Sequence, residues 1–137
     1  MRSLFIVFFL IISTSIFSQK LVEVNGKYQS RVEYSVSGRD LPTIFRKCNI
    51  FLDMELPNRK TLSISQDDKI NKFSGIGTWK KFQFVYEVIC TKESFKMIFT
   101  NISYKSKPIN QKLGKIDDIN QFFVDLCGKM QSFVRYS

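Results

Sequence analysis

Residues 61–104 run TLSISQDDKINKFSGIGTWKKFQFVYEVICTKESFKMIFTNISY and hold four strand-like stretches joined by short polar breaks. A parallel crossover needs about a dozen residues or more, so breaks this short force each stretch to fold back beside the one before it. The chain is thereby committed to an antiparallel sheet, and its remaining elements must be placed around that sheet.

The clearest alternation lies at residues 82–90, where Phe82, Phe84, Tyr86, Val88 and Cys90 share one face and Val85 and Ile89 partly cover the other. Lys92-Glu93-Ser94 turns the chain. Residues 95–104 then return, with Phe95, Met97 and Phe99 on one face and Ile98, Ile102 and Tyr104 on the other. Upstream, residues 60–66 are expected to turn Leu62 and Ile64 inward. After the polar turn at Asp67-Asp68, Phe73, Gly75, Gly77 and Trp79 share a face. Two glycines on one side of a strand leave a bare groove, mark a bulge, or admit a close neighbour.

Before this block, residues 20–24 suggest a short strand, Asn25-Gly26 a turn, and residues 28–36 a strand with one wet face. Asp40-Leu41-Pro42 then opens a helix, with Asp40 as the cap and Pro42 in the first turn. Leu41, Ile44, Phe45, Cys48, Phe51 and Leu52 make one apolar stripe, and Pro57 ends the helix near Glu55. Residues 105–115, with Pro108, Gly114 and four lysines, suggest a loop. The last helix is expected over residues 117–134, with Ile119, Phe123, Leu126, Met130 and Phe133 as its stripe and Cys127 and Val134 widening it. Two one-sided helices bury their stripes most simply on one face of the sheet. The expected fold is α+β, an antiparallel sheet with two helices on one face, in the order β-α-β-β-β-β-α.

The first residues bear on compartment. Arg2 precedes an apolar run at residues 4–12, and small residues follow to Ser18. That is the layout of a secretory signal peptide, expected to be cleaved after Ser18, or after Ser15 as a fallback. The run falls well short of the roughly 20 residues that span a bilayer. Residues 1–18 are therefore assigned to a leader, and residues 19–137 to one domain. The expected location is the periplasm or beyond, with peripheral attachment to the envelope and no span after leader removal. The formal net charge is +9, which favours anionic partners such as lipid, glycan or an acidic protein. Export argues against nucleic acid. Cys48, Cys90 and Cys127 show no C-x-x-C spacing. They are either apolar core thiols or, in an oxidising compartment, one disulfide with one cysteine left over.

This combination of leader, Ser37-Gly38 strand end with a helix at once, acidic turn Asp67-Asp68, Phe73-Ser74-Gly75-Ile76-Gly77 strand and hairpin at residues 86–99 resembles an exported bacterial domain of unknown function. That domain is common in Bacteroidota and has a TATA-binding-protein-like fold. The resemblance spans residues 28–134, and the hairpin turn departs from it in lacking glycine. It implies a fold and a compartment but no activity, and the DNA binding of the fold's namesake does not come with it.

The chemistry is defined mainly by what the sequence lacks. With no histidine, histidine-based acid–base and triad catalysis and most zinc sites are excluded. Gly75-Ile76-Gly77 leads into Trp79-Lys80-Lys81, not into a helix, so it is no phosphate loop. Asp67-Asp68 and Asp117-Asp118 are neighbours that point apart, which suits a turn and a helix start rather than a carboxylate pair. Asn101-Ile102-Ser103 matches the glycosylation sequon by chance. The protein is expected to be no enzyme and to need no cofactor or metal. Two surfaces remain for binding. One is the sheet face away from the helices, with Val85, Ile89, Ile98, Ile102 and Tyr104, suited to a partner protein or to self-association. The other is the lysine group Lys105, Lys107, Lys112 and Lys115, joined by Lys80 and Lys81, suited to an anionic envelope surface.

Overall fold

The computed structural model describes residues 21–109 and 115–137. Residues 1–18, expected to form a leader, and Lys112 lie outside the described residues. Among the described residues, seven strands and two helices follow in order: β1 (Val22–Val24), β2 (Lys27–Ser35), α1 (Leu41–Glu55), β3 (Lys60–Gln66), β4 (Asn71–Trp79), β5 (Phe82–Thr91), β6 (Ser94–Tyr104), β7 (Lys107–Pro108) and α2 (Ile116–Tyr136). The sheet order is β1-β2-β6-β5-β4-β3, every pairing is antiparallel, and β7 pairs β6. The expected architecture is present, with the short strand suggested at residues 20–24 realised as β1 and with β7 added. Residues 105–109 are not the loop that their composition suggests. Lys105 and Ser106 both take positive φ, 51° and 68°, and make a two-residue hairpin into β7. Asn25 and Gly26, at φ 52° and 80°, close the β1–β2 hairpin the same way, as the right-handed twist of paired strands requires.

Both helices cover the same face of the sheet. Phe45 of α1 meets Phe73 edge-on at 5.6 Å, and Phe123 of α2 stacks on Phe99 at 3.9 Å. The alternation in β5 is realised: Phe82, Phe84, Tyr86, Val88 and Cys90 are buried among the helices' stripes. In α1, Asp40 accepts the Thr43 N–H at 3.0 Å, and bonding to Thr43 holds its carboxyl below the usual carboxylate range. Asp67 is held low in the same way, by the Ile70 and Lys69 amides that close the β3–β4 turn.

The two glycines of β4 serve close approach. A Cβ on Gly75 would collide with the Lys60 carbonyl and the Tyr86 ring, and one on Gly77 would lie 2.7 Å from Phe84 and 3.1 Å from Leu56. The large rings of β5 thus lie across the bare backbone of β4. The space beside Tyr86 is completed by Arg59, whose side chain is largely buried. Its guanidinium donates to Tyr86 Oη at 2.8 Å and to the Asn49 carbonyl at 3.3 Å, and pairs with Asp53 at 2.7 Å. Burial disfavours its charge, but the bonds to Tyr86 and Asp53 outweigh that and raise its pKa. Cys48, Cys90 and Cys127 are fully buried and form no disulfide with one another. A hydrogen bond with Cys90, and then burial, push the Cys48 thiol well up.

Two sequence expectations are corrected here. Leu62 and Ile64 do not face inward to a covered core. β3 is the sheet's edge, beyond the cover of α1, and the two side chains are 57% and 61% exposed. Ile102 and Tyr104 do not lie on the outer face either. Gln83 and Val85 of β5 pair with Ser103 and Thr100, so β6 carries one extra residue in this interval. Asn101, at φ 50°, lies within that bulge. One inserted residue reverses the facing of all that follow. Ile102 is therefore buried in the core, and the Tyr104 ring lies 4.8 Å from Phe82.

Candidate functional site

The reversal at Asn101 turns Tyr104 toward an open cleft of about 970 Å³ at one end of the sheet. Its floor is aromatic. Trp79 at the end of β4 stacks on Phe122 of α2 at 4.5 Å and on Phe82 at 5.7 Å, and Phe82 continues to Tyr104. The stack closes the core where the sheet outruns the helices, and Trp79, Tyr104 and Phe122 remain partly exposed.

One side of the cleft is basic, and a backbone bond fixes it. The Lys105 N–H donates to the Lys81 carbonyl at 3.0 Å. This ties the β6–β7 turn to the β4–β5 turn, so lysines far apart in sequence are neighbours. Lys105 and Lys115 lie 5.5 and 5.3 Å from the centre of the Tyr104 ring, and Lys80 lies 4.8 Å from that of Trp79. These distances are within reach of cation–π attraction. The opposite wall is mixed. Glu55 from the end of α1 and Asp117, Asp118 and Asp125 from α2 line it together with Lys129. All four acids are exposed, and Asp125 already accepts from Gln121 at 2.9 Å. No three acids or cysteines among the described residues come together as a metal site.

The outer face of the sheet keeps only Val85, Ile89 and Ile98 of the five residues expected there, each half-buried. Charged neighbours break them up. Ile98 lies opposite Arg31 and Glu87, and Ile89 opposite Lys72 and Lys96. Of the lysine group, Lys105 and Lys115 converge on Tyr104, and Lys107 is exposed on β7. Sequence reasoning missed Phe122 and undervalued Trp79. Phe122 was legible as an aromatic off the apolar stripe of α2, next to Phe123. Trp79 was legible as a strand-end aromatic followed at once by two lysines. No described helix is long and apolar enough to cross a membrane.

No family model and no curated protein matches the chain. Among solved structures, it is similar to a DUF4468 family protein from Bacteroides ovatus ATCC 8483, at 14% identity and a TM-score of 0.51, over 80% of this chain and 85% of that one. It is also similar to a TBP-like protein from Parabacteroides distasonis ATCC 8503, at 12% identity and a TM-score of 0.54, over 81% of this chain and 97% of that one. At such identities the likeness concerns the fold alone: the chain has the TATA-binding-protein-like α+β fold that occurs in these Bacteroidota proteins.

Proposed function

We propose that the protein is a non-enzymatic, exported binding module, and that it docks on the anionic glycan or lipid of the cell envelope through the basic lip of the aromatic cleft. The observation that carries this reading is the bond from Lys105 N–H to the Lys81 carbonyl. It brings Lys105 to Lys80 and Lys81, and Lys115, at the start of α2, joins them over the Tyr104 ring. Clustered cations on a partly apolar, ring-lined surface attract an anionic surface and give it something to pack on. The outer sheet face suits the role less well, because its apolar residues are interleaved with charges of both signs. Acid–base catalysis favours carboxyls held in unlike environments. The four acids here share one open, lysine-bearing wall, which supports the non-enzymatic reading.

The chain has a single tryptophan, and it lies in the cleft, so its fluorescence reports binding there directly. The titrants are heparin as a sulfated glycan, phosphatidylglycerol vesicles as an anionic lipid, and phosphatidylcholine vesicles as the neutral control. A saturable change with heparin or with phosphatidylglycerol is expected, and which of the two acts names the source. The change should vanish as salt rises through roughly 0.1 M, where the screening length falls to about 10 Å, and in the Lys80→Glu/Lys81→Glu double variant. No response to either titrant, or a response indifferent to both salt and variant, overturns the reading.

A further inference from the structure

The two edges of the sheet are unequal. β1 is three residues long and carries Glu23 at its centre, a short and charged edge of the kind that discourages pairing. β3 is seven residues long, KTLSISQ, with every residue exposed and no charge between Thr61 and Gln66. Among the described residues nothing pairs its outer side. A bulge between Thr61 and Ser63 twists its first part, but Ser63 to Gln66 stay in regular register with β4.

We propose that β3 is the interface between two copies of this chain, joined edge to edge as antiparallel strands about a two-fold axis at Ile64. The strand is complementary to itself in this register. Ile64, more than half exposed and on the same side of the sheet as Phe73, meets Ile64 of the second copy. Ser63 meets Ser65, and Leu62 meets Gln66. Beyond the bulge, Lys60 of each copy comes beside the acidic Asp67-Asp68 turn that follows β3 in the other, so the pairing ends in two opposite-charge contacts. A two-fold pairing keeps both helix layers on one side of the joined sheet. It satisfies outward amides and carbonyls that β3 otherwise leaves to water.

The test is sedimentation velocity on the purified protein over a wide concentration range. A concentration-dependent dimer is expected. Ile64→Lys should weaken it at least about tenfold, which is about 1.4 kcal/mol, and leave the circular dichroism unchanged because that side chain is exposed. Lys60→Asp alone and Asp68→Lys alone should each weaken the dimer, and the two together should restore it. Restoration is an outcome that simple misfolding cannot produce. A monomer up to about 1 mM, or a dimer indifferent to all these changes, overturns the proposal. So does a monomer whose β3 amides resist hydrogen exchange, since the edge would then be covered by other residues of the same chain.

Discussion

The two faces of strand β5 come from the same ten residues, yet they behave as different materials. Towards the helices stand Phe82, Phe84, Tyr86, Val88 and Cys90, at most 4% exposed and packed among rings from β4, β6 and α2. Towards solvent stand Val85 and Ile89, half-buried on either side of Glu87, with Ile89 between Lys72 and Lys96. Both sets are apolar, and alternation alone gave both a claim to a buried partner. What separates them is the company across the strand: the inner residues face rings and glycines, whereas Ile89 faces Lys72 and Lys96, and Val85 faces Ile76 on one side but the polar Thr100 on the other. An apolar residue is evidence for an interface only when its cross-strand neighbours are apolar as well.

Three substitutions sharpen this contrast. The largest effect is expected for Phe99→Ala, which removes a fully buried ring stacked on Phe123 and edge-on to Phe84. It should cost about 3–5 kcal/mol in urea unfolding. A smaller loss, about 1–3 kcal/mol, is expected for Gly77→Ala, because the added methyl meets Phe84 and Leu56, both buried. The smallest is expected for Val85→Lys on the outer face, within about 0.5 kcal/mol of the parent and with unchanged heparin or vesicle binding. If Val85→Lys destabilises the fold as much as Gly77→Ala does, the outer face is a covered surface and the contrast fails. If it abolishes binding while the fold survives, the outer face rather than the basic lip is the docking surface.

Much of the fold was legible because it rests on local periodicity. The stripe from Leu41 to Leu52 and the alternation from Phe82 to Cys90 each identify an element and its buried side. Two polar residues between alternating runs can only be a hairpin. Less of the candidate site was legible, because it rests on exceptions to periodicity. A single residue inserted at the β6 bulge moves Ile102 into the core and Tyr104 to the cleft, and nothing in Thr100-Asn101-Ile102 announces it beyond an asparagine that tolerates positive φ. The convergence of Lys81 with Lys105 is a contact between two turns and has no sequence period. Leu62 and Ile64 alternate like core residues, but sheet order, which pattern does not encode, puts them at the edge. Arg59 was invisible for the opposite reason: Asn58-Arg59-Lys60 after Pro57 looks like loop, whereas the ring and carbonyl partners of Arg59 lie elsewhere in the chain.

The three thiols have a further consequence. Cys48, Cys90 and Cys127 stand one each on α1, β5 and α2, all with no exposed surface. A small alkylating reagent reaches none of them until the layer that covers it lifts. The rate of modification under native conditions therefore times opening events rather than surface access. The mass pattern separates two modes of opening: three adducts arriving together mean that the helices leave the sheet as one unit, and adducts arriving singly mean that they peel away in turn. The molecule thus carries an internal clock in each of its layers, with no label to be engineered.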